Sequence, residues 1–292
     1  MSKESRKENI NYQSTGQKLK TCIKHPVSLV FFILIAISVV LTVASLGFLI
    51  GYILINGIPN ITLEQFEWKY TTDNASMMPA IINTLIMTVL ALVISIPFGI
   101  FSAIYLVEYA KKGNRIVNIV RLTAETLTGI PSIVYGLFGM LFFVTALHMK
   151  LSILSGALTL SIMVLPVIMR TTEEALMSVP DSYREGSFGL GAGRLRTVFR
   201  IVLPPAMPGI LSGIILATGR IVGETAALIY TAGTVADVKG IFASGRTLAV
   251  HMYVLSSEGL YMNQAYATAV VLLVIVMIIN LSSSFVARKI TK

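Results

Sequence analysis

The chain has 292 residues, of which 55% are hydrophobic and only 13% charged, about half the roughly 25% charge of a soluble globular domain. So few charges cannot cover the surface of a soluble fold, which excludes a soluble enzyme or a disordered scaffold, and a mean hydropathy of +0.80 puts the chain in a bilayer. A net charge of +9 would suggest nucleic acid in a soluble protein, but here the distribution of the charge matters more than its sum.

Residues 1–25 hold Lys3, Arg6, Lys7, Lys18, Lys20 and Lys24 and read as a basic tail. The apolar run behind them is too long for the core of a signal peptide, so a retained first helix is expected. A spanning helix needs about 20 mostly apolar residues. Six stretches meet or approach this: 27–50, 81–106, 126–148, 151–169, 208–230 and 266–287. Pro97, Pro131 and Pro166 fall inside three of them and predict kinks, which neighbouring helices can absorb in a membrane. The fold expected is all-α and polytopic.

Lysines and arginines fix the orientation. If the N-terminus is cytoplasmic, inside segments hold 18 of the 23 lysines and arginines and outside segments hold four: Lys69, Lys150, Lys239 and Arg246. That asymmetry predicts both termini in the cytoplasm. The basic balance is thus a topology signal, and nucleic acid is not an expected partner. Cys22 is the only cysteine, and His25, His148 and His251 are scattered, so neither a metal site nor a cofactor is expected.

Small residues let helices approach closely in lipid. Gly129, Ser132, Gly136 and Gly139 in the third span, and Gly209, Gly213 and Ala217 in the fifth, predict packing faces. The fifth face leads to Arg220 and Glu224, charges that are costly at membrane depth. Four residues apart on one helix, they are within reach of each other. They are either a structural ion pair or a charged station on a permeation path. Arginine keeps its proton and its planar fork matches oxyanions, which suits an anion. Arg170 closes the fourth span and is either a second station or an ordinary inside-facing cation.

Residues 170–207 are the longest inside connection. Thr171 or Thr172 is expected to cap a short helix that Pro180 stops. Ser182 and Glu185 form an S-x-x-E box that predicts a second helix, Tyr183 to Leu190. Gly191 or Gly193 then supplies a left-handed cap, followed by a basic turn through Arg194, Arg196 and Arg200. Pro204, Pro205 and Pro208 precede the fifth span. In the outer segment 231–265, the apolar run Leu248–Leu255 suggests a re-entrant or interfacial helix.

Glu185-Gly186-Ser187, three residues, Gly191, nine residues, then Ile201-x-Leu203-Pro204 resembles the EAA loop of ABC-importer permeases, E-A-A-x3-G-x9-I-x-L-P. Gly186 and Ser187 stand where the family has alanines. Tyr105–Ala110, Gly129–Gly139 and the run Gly219–Leu228, with its Gly-Glu-Thr-Ala-Ala-Leu core, resemble the phosphate-type permeases, of the PstA rather than the PstC type. The resemblance covers roughly residues 77–287.

The resemblance implies six transmembrane helices in a type I ABC-importer permease fold of the bacterial inner membrane. It divides the chain into a tail 1–25, a first helix with external loop 26–76, a permease domain 77–287 with coupling loop 170–207, and a tail 288–292. The implied function is import of inorganic phosphate by alternating access, and the implied partners are ABC ATPase subunits, a paralogous PstC-type permease and an extracytoplasmic phosphate-binding protein. Glu185, Gly186, Ser187, Leu190, Gly191 and Arg194 would couple to the ATPase. Arg220, Glu224, Thr225 and Arg170 would line the path. No lysine follows a glycine, so a Walker A loop is absent, and the chain reads as a non-catalytic subunit. Three readings stay open beside this one: a permease for sulfate or molybdate, a secondary anion transporter needing no ATPase, and an intramembrane enzyme, for which the spans offer few polar groups.

Overall fold

A computed structural model describes residues 26–111, 113–257 and 259–290, without the side chains of residues 26, 286–288 and 290. The expected tail 1–25 lies outside the described residues, as do residues 291 and 292 of the second tail. Among the described residues there are helices and loops but no strand.

The first helix, α1, runs Pro26–Gly57, longer than the expected 27–50. It stands as a unit of its own up to Ile55. Its apolar window is buried nowhere, and Phe31, Val40, Leu41 and Phe48 all point outward. A helix apolar all round fits lipid, not water.

The second unit begins at Asn56. Its helices are α2 (Met78–Ile104), α3 (Arg115–Thr128), α4 (Ser132–Gly139), α5 (Ile153–Met177), α6 (Asp181–Gly189), α7 (Arg194–Thr197), α8 (Leu203–Val222), α9 (Ala226–Thr231), α10 (Leu248–Ser257) and α11 (Met262–Ile290). Three π-helical stretches extend them: Tyr105–Tyr109 after α2, Met140–Ala146 after α4 and Val198–Val202 between α7 and α8.

Helix α5 is the centre. Of its apolar window 67% is buried, the highest share of any long helix, and it packs chiefly on α2 and α8. Leu160, Met163, Val164 and Ile168 form the core with Met87, Ala91, Ala217 and Ile221. The glycine faces work as expected in part. A Cβ on Gly136 would stand 2.8 Å from Ala227 Cα, and one on Gly139 2.7 Å from Thr231 Cγ2. Gly209 and Gly213 meet Ala175 and Thr171 of α5 in the same way. Gly129 falls before a break in the helix and does not share the face.

Several expected boundaries are corrected. Residues 126–148 are not one span. Pro131 adopts an extended conformation (φ −57°, ψ 140°), and α3 and the α4 stretch meet at 105°. Among the described residues, five helices are long and apolar enough to cross a membrane, or six if this bent pair is one span. The stretch 208–230 is also interrupted: α8 ends at Val222 and α9 starts at Ala226. Pro204, Pro205 and Pro208 lie within α8 rather than before it. Pro204 and Pro205 stand at the start of α8, which follows directly on the π-helical stretch Val198–Val202, and Pro208 lies inside α8, where neighbouring helices can absorb the missing N–H. No new helix starts at Thr171 or Thr172. Helix α5 runs on to Met177, and Thr172 is wholly buried in it.

Opposite the 178–202 loop, residues 232–247 strap the ends of α2 and α5. Ile153 N donates to Ala243 O (3.0 Å) and Leu154 N to Ile241 O (2.8 Å), which satisfies free N–H groups of the first turn. Asn83 Nδ2 of α2 donates to Asp237 O (2.9 Å) and Arg246 O (3.3 Å), and Leu248 N donates to Thr84 Oγ1 (2.8 Å). The run from Leu248 is helical, as expected, and its ten residues are too few to span.

Candidate functional site

Two groups of candidate residues sit at different depths of the second unit. The first lies at the junction of α8 and α9. Arg220 is half-buried near the end of α8, and its charge reaches the Tyr135 phenol of α4. It makes no hydrogen bond or ion pair with another described residue. The expected approach of Glu224 to Arg220 is corrected, because the helix stops between them. Glu224 is buried, and its Oε1 accepts from Ala227 N (3.1 Å), so it caps α9 where the N–H groups favour a negative charge. Thr225, in the break itself, has its hydroxyl 3.5 Å from Gly223 O and its carbonyl accepting from Leu228 N and Ile229 N.

Tyr135 was missing from the sequence-based set. Its hydroxyl donates to Leu127 O (2.7 Å), across the break between α3 and α4. The ring is buried. It thereby bridges the two helices of the bent pair and faces the field of Arg220. Nothing in the local sequence marks it out, because the contact depends on the 105° turn.

Arg170 sits away from this group. Its side chain is half exposed and donates to Glu174 Oε1 (3.1 Å) and Glu125 Oε1 (3.5 Å). Next to it Arg121 of α3 pairs with Glu173, which is buried. Arg121 and Glu125 of α3 with Arg170 and Glu173 of α5 form a charged strap between the two helices around a cleft of about 250 Å³.

The second group is the loop after α5. Helix α6 starts at Asp181 with Pro180 as its N-cap, so the Ser182–Glu185 capping box does not form. Proline is pre-set for a helix start, and Asp181 supplies the first-turn acid. Gly191 takes the expected left-handed conformation, φ +80°. Along α6, Tyr183, Glu185, Gly186 and Phe188 are exposed, as is Leu190 just beyond, at 91%. Glu185 has no ion partner among the described residues. Arg194 is exposed at the start of α7. Between α6 and α7 lies a groove of about 470 Å³ lined by Tyr183, Leu190, Arg196 and Arg200.

The two departures from the alanine pattern differ in kind. No atom lies within 4 Å of a Cβ built on Gly186, so nothing there demands glycine. Ser187 is buried, and its hydroxyl bonds Thr197 Oγ1 of α7 at 2.8 Å.

A model of the binding-protein-dependent transport system inner membrane component matches residues 95–292. The chain belongs to that family. Similar proteins include the probable ABC transporter permease protein YqgI of Bacillus subtilis (strain 168), 33% identical over 84% of this permease and 89% of that protein. Another is the phosphate transport system permease protein PstA 1 of Mycobacterium tuberculosis (strain CDC 1551 / Oshkosh), 35% identical over 71% of this permease and 69% of that protein. Among solved structures, a bacterial ABC transporter involved in the import of the acidic polysaccharide alginate superposes with a TM-score of 0.65. It is 19% identical over 94% of this permease and 100% of that chain. The fold is therefore that of a type I ABC-importer permease, and the permease is a multi-pass inner membrane protein, the membrane component of its system rather than a catalytic subunit.

Proposed function

We propose that this permease carries inorganic phosphate into the cytoplasm as one subunit of an ATP-driven importer. The observation that carries the reading is Arg220, a half-buried guanidinium on a membrane helix that no carboxylate among the described residues neutralises, in a chain 35% identical to a phosphate transport permease. A cation that cannot lose its proton and is not paired among the described residues is suited to an anionic cargo. Glu224 and Thr225 border the station from the α8–α9 break. Arg170 is a second station, held by Glu125 and Glu174 until cargo or a conformational change releases it.

The partners follow from the remaining surfaces. The exposed row Glu185, Gly186, Leu190 and Arg194, with Ser187 and Gly191 shaping the loop, is the docking edge for an ABC ATPase. One chain presents five or six spans, too few to enclose a gated path easily, and a paralogous PstC-type permease completes it. An extracytoplasmic phosphate-binding protein delivers the anion on the far side. This reading puts both termini and the 178–202 loop in the cytoplasm, which the distribution of basic residues supports.

The test is uptake of labelled phosphate by phosphate-starved cells carrying the chain with its partner subunits. Uptake is expected to resist excess sulfate, to stop on ATP depletion, and to fall in Arg220→Gln and Glu185→Lys at unchanged membrane level. Uptake that survives ATP depletion and Glu185→Lys makes the protein a secondary carrier, and competition by sulfate makes it a permease for another oxyanion.

A further inference from the structure

Arg184 precedes Glu185 on α6 but turns the opposite way. Its side chain is only 14% exposed. Nε donates to Glu108 Oε1 (3.0 Å) and Oε2 (3.3 Å), and Nη2 donates to Glu108 Oε1 (2.7 Å) and Leu176 O (2.9 Å). Nη1 donates to Val179 O (2.8 Å) and Asp181 Oδ1 (3.3 Å). All five N–H groups of the guanidinium are thus used. Glu108 is 7% exposed and lies in the π-helical turn that ends α2. Leu176 lies in the last turn of α5 and Val179 two residues beyond it, where carbonyls lack the i+4 partner of a helix interior.

One side chain therefore ties three elements: α6, the last turn of α5, and the end of α2, which is 76 residues away in sequence. Among the described residues, no other side chain of α6 hydrogen-bonds α2. The other polar anchor of α6, the Ser187–Thr197 bond, leads to α7. Apolar contacts such as those of Leu176, Val179, Val198 and Val202 can slide. A planar guanidinium with several charge-assisted bonds fixes angle as well as distance. The π-helical turn adds a residue to the helix end, a feature often found at functional sites. Here it carries the carboxylate.

We propose that Arg184 and Glu108 form the joint through which displacement of the coupling helix moves α2 and α5 as one body, so that Arg184 is a positioning residue for transport. The proposal rests on the reading of the chain as an ATP-driven permease. A nearly dry ion pair is a poor means of gaining stability, since apolar residues of similar volume often do as well. Direction is what the pair adds.

The test uses the whole complex in proteoliposomes, with second permease, ATPase and binding protein, and reads phosphate moved per ATP hydrolysed. Glu108→Gln and Arg184→Met are expected to lower that ratio by about five-fold or more, the lower edge of ordinary coupling effects. Arg184→Lys keeps the charge but loses the fork and falls between. Because a single change strands a buried charge, the double variant Glu108→Leu/Arg184→Met is the deciding one. It removes both charges and is expected to assemble. An assembled double variant with a low ratio supports the joint, and one with the wild-type ratio overturns it. So does a loss of uptake and hydrolysis in equal proportion in Glu108→Gln. If the wild-type complex moves no phosphate with ATP, the functional reading fails. Normal wild-type transport with unchanged variants sinks the joint alone.

Discussion

His251 shows how a residue's surroundings decide its chemistry. It is fully buried in α10, with the Tyr70 ring edge-on at 6.1 Å. Burial, and then the positive charge of Arg246, push its pKa down to about 3. Arg246 is itself buried, with its guanidinium 4.5 Å from the Tyr70 ring centre. In the unfolded chain a histidine titrates near 6.5. The folded value is the lower one, so the stability linked to a neutral His251 is present above pH 6.5 and is lost as the pH falls from there towards 3. The slope in that window approaches about 1.4 kcal/mol per pH unit. The melting temperature of the purified protein is expected to drop between pH 7 and pH 5, and to drop less in His251→Gln. An equal drop in both would show that His251 stays unburdened by protonation. The half-buried place of Arg220 on its helix was legible, because a charge in an apolar run announces itself. Its separation from Glu224 was not, since i,i+4 geometry assumes a helix that in fact ends at Val222. The pairing of Arg184 with Glu108 was equally hidden, because no local pattern joins residues that far apart.

At the level of elements, the loop around α6 was read in part and the bent spans were not. A short helix and the left-handed Gly191 stand where the sequence placed them, but the helix starts at Asp181 behind Pro180 and not on the Ser182–Glu185 box. Whether Pro131 kinks a helix or turns it through 105° depends on what the second half packs against, here α9 and α5, and spacing alone says nothing of that. Gly191 and Ser187 separate conformation from contact. No atom lies within 4 Å of a Cβ on Gly191, so Gly191→Ala meets only the backbone cost of a left-handed residue, about 1–2 kcal/mol. Ser187→Ala restores the family's usual residue and loses one neutral hydrogen bond, worth roughly 1 kcal/mol net, while Thr197 keeps its bond to Gly193 O. Gly191→Ala is expected to weaken co-purification of the ATPase and to lower uptake severalfold. Ser187→Ala should stay near wild type in both. The reverse order would mean that the Ser187–Thr197 bond, not the turn, holds the docking edge.

For the molecule as a whole, the distribution of charge makes a claim that every other part of the reading depends on. The exposed edge of α6, the Arg184–Glu108 pair and the charged strap of Arg121, Glu173, Arg170 and Glu125 crowd one end of the second unit. The strap 232–247 and the buried Arg246 occupy the other. An ATPase can reach the first end only if it faces the cytoplasm. Eighteen of 23 lysines and arginines argue that it does. The lone cysteine gives a direct readout, because Cys22 is native and no other cysteine competes. A membrane-impermeant maleimide added to intact, wall-stripped cells is expected to leave Cys22 unlabelled, and to label it once the membrane is opened. Trp68, which is 75% exposed in the segment expected to lie outside, supplies the opposite control. Trp68→Cys in a Cys22→Ser background should label from outside without permeabilisation. Labelling of Cys22 in intact cells would invert the topology. Glu185 and its neighbours would then face away from ATP, and the importer reading would fall with them, whatever the fold.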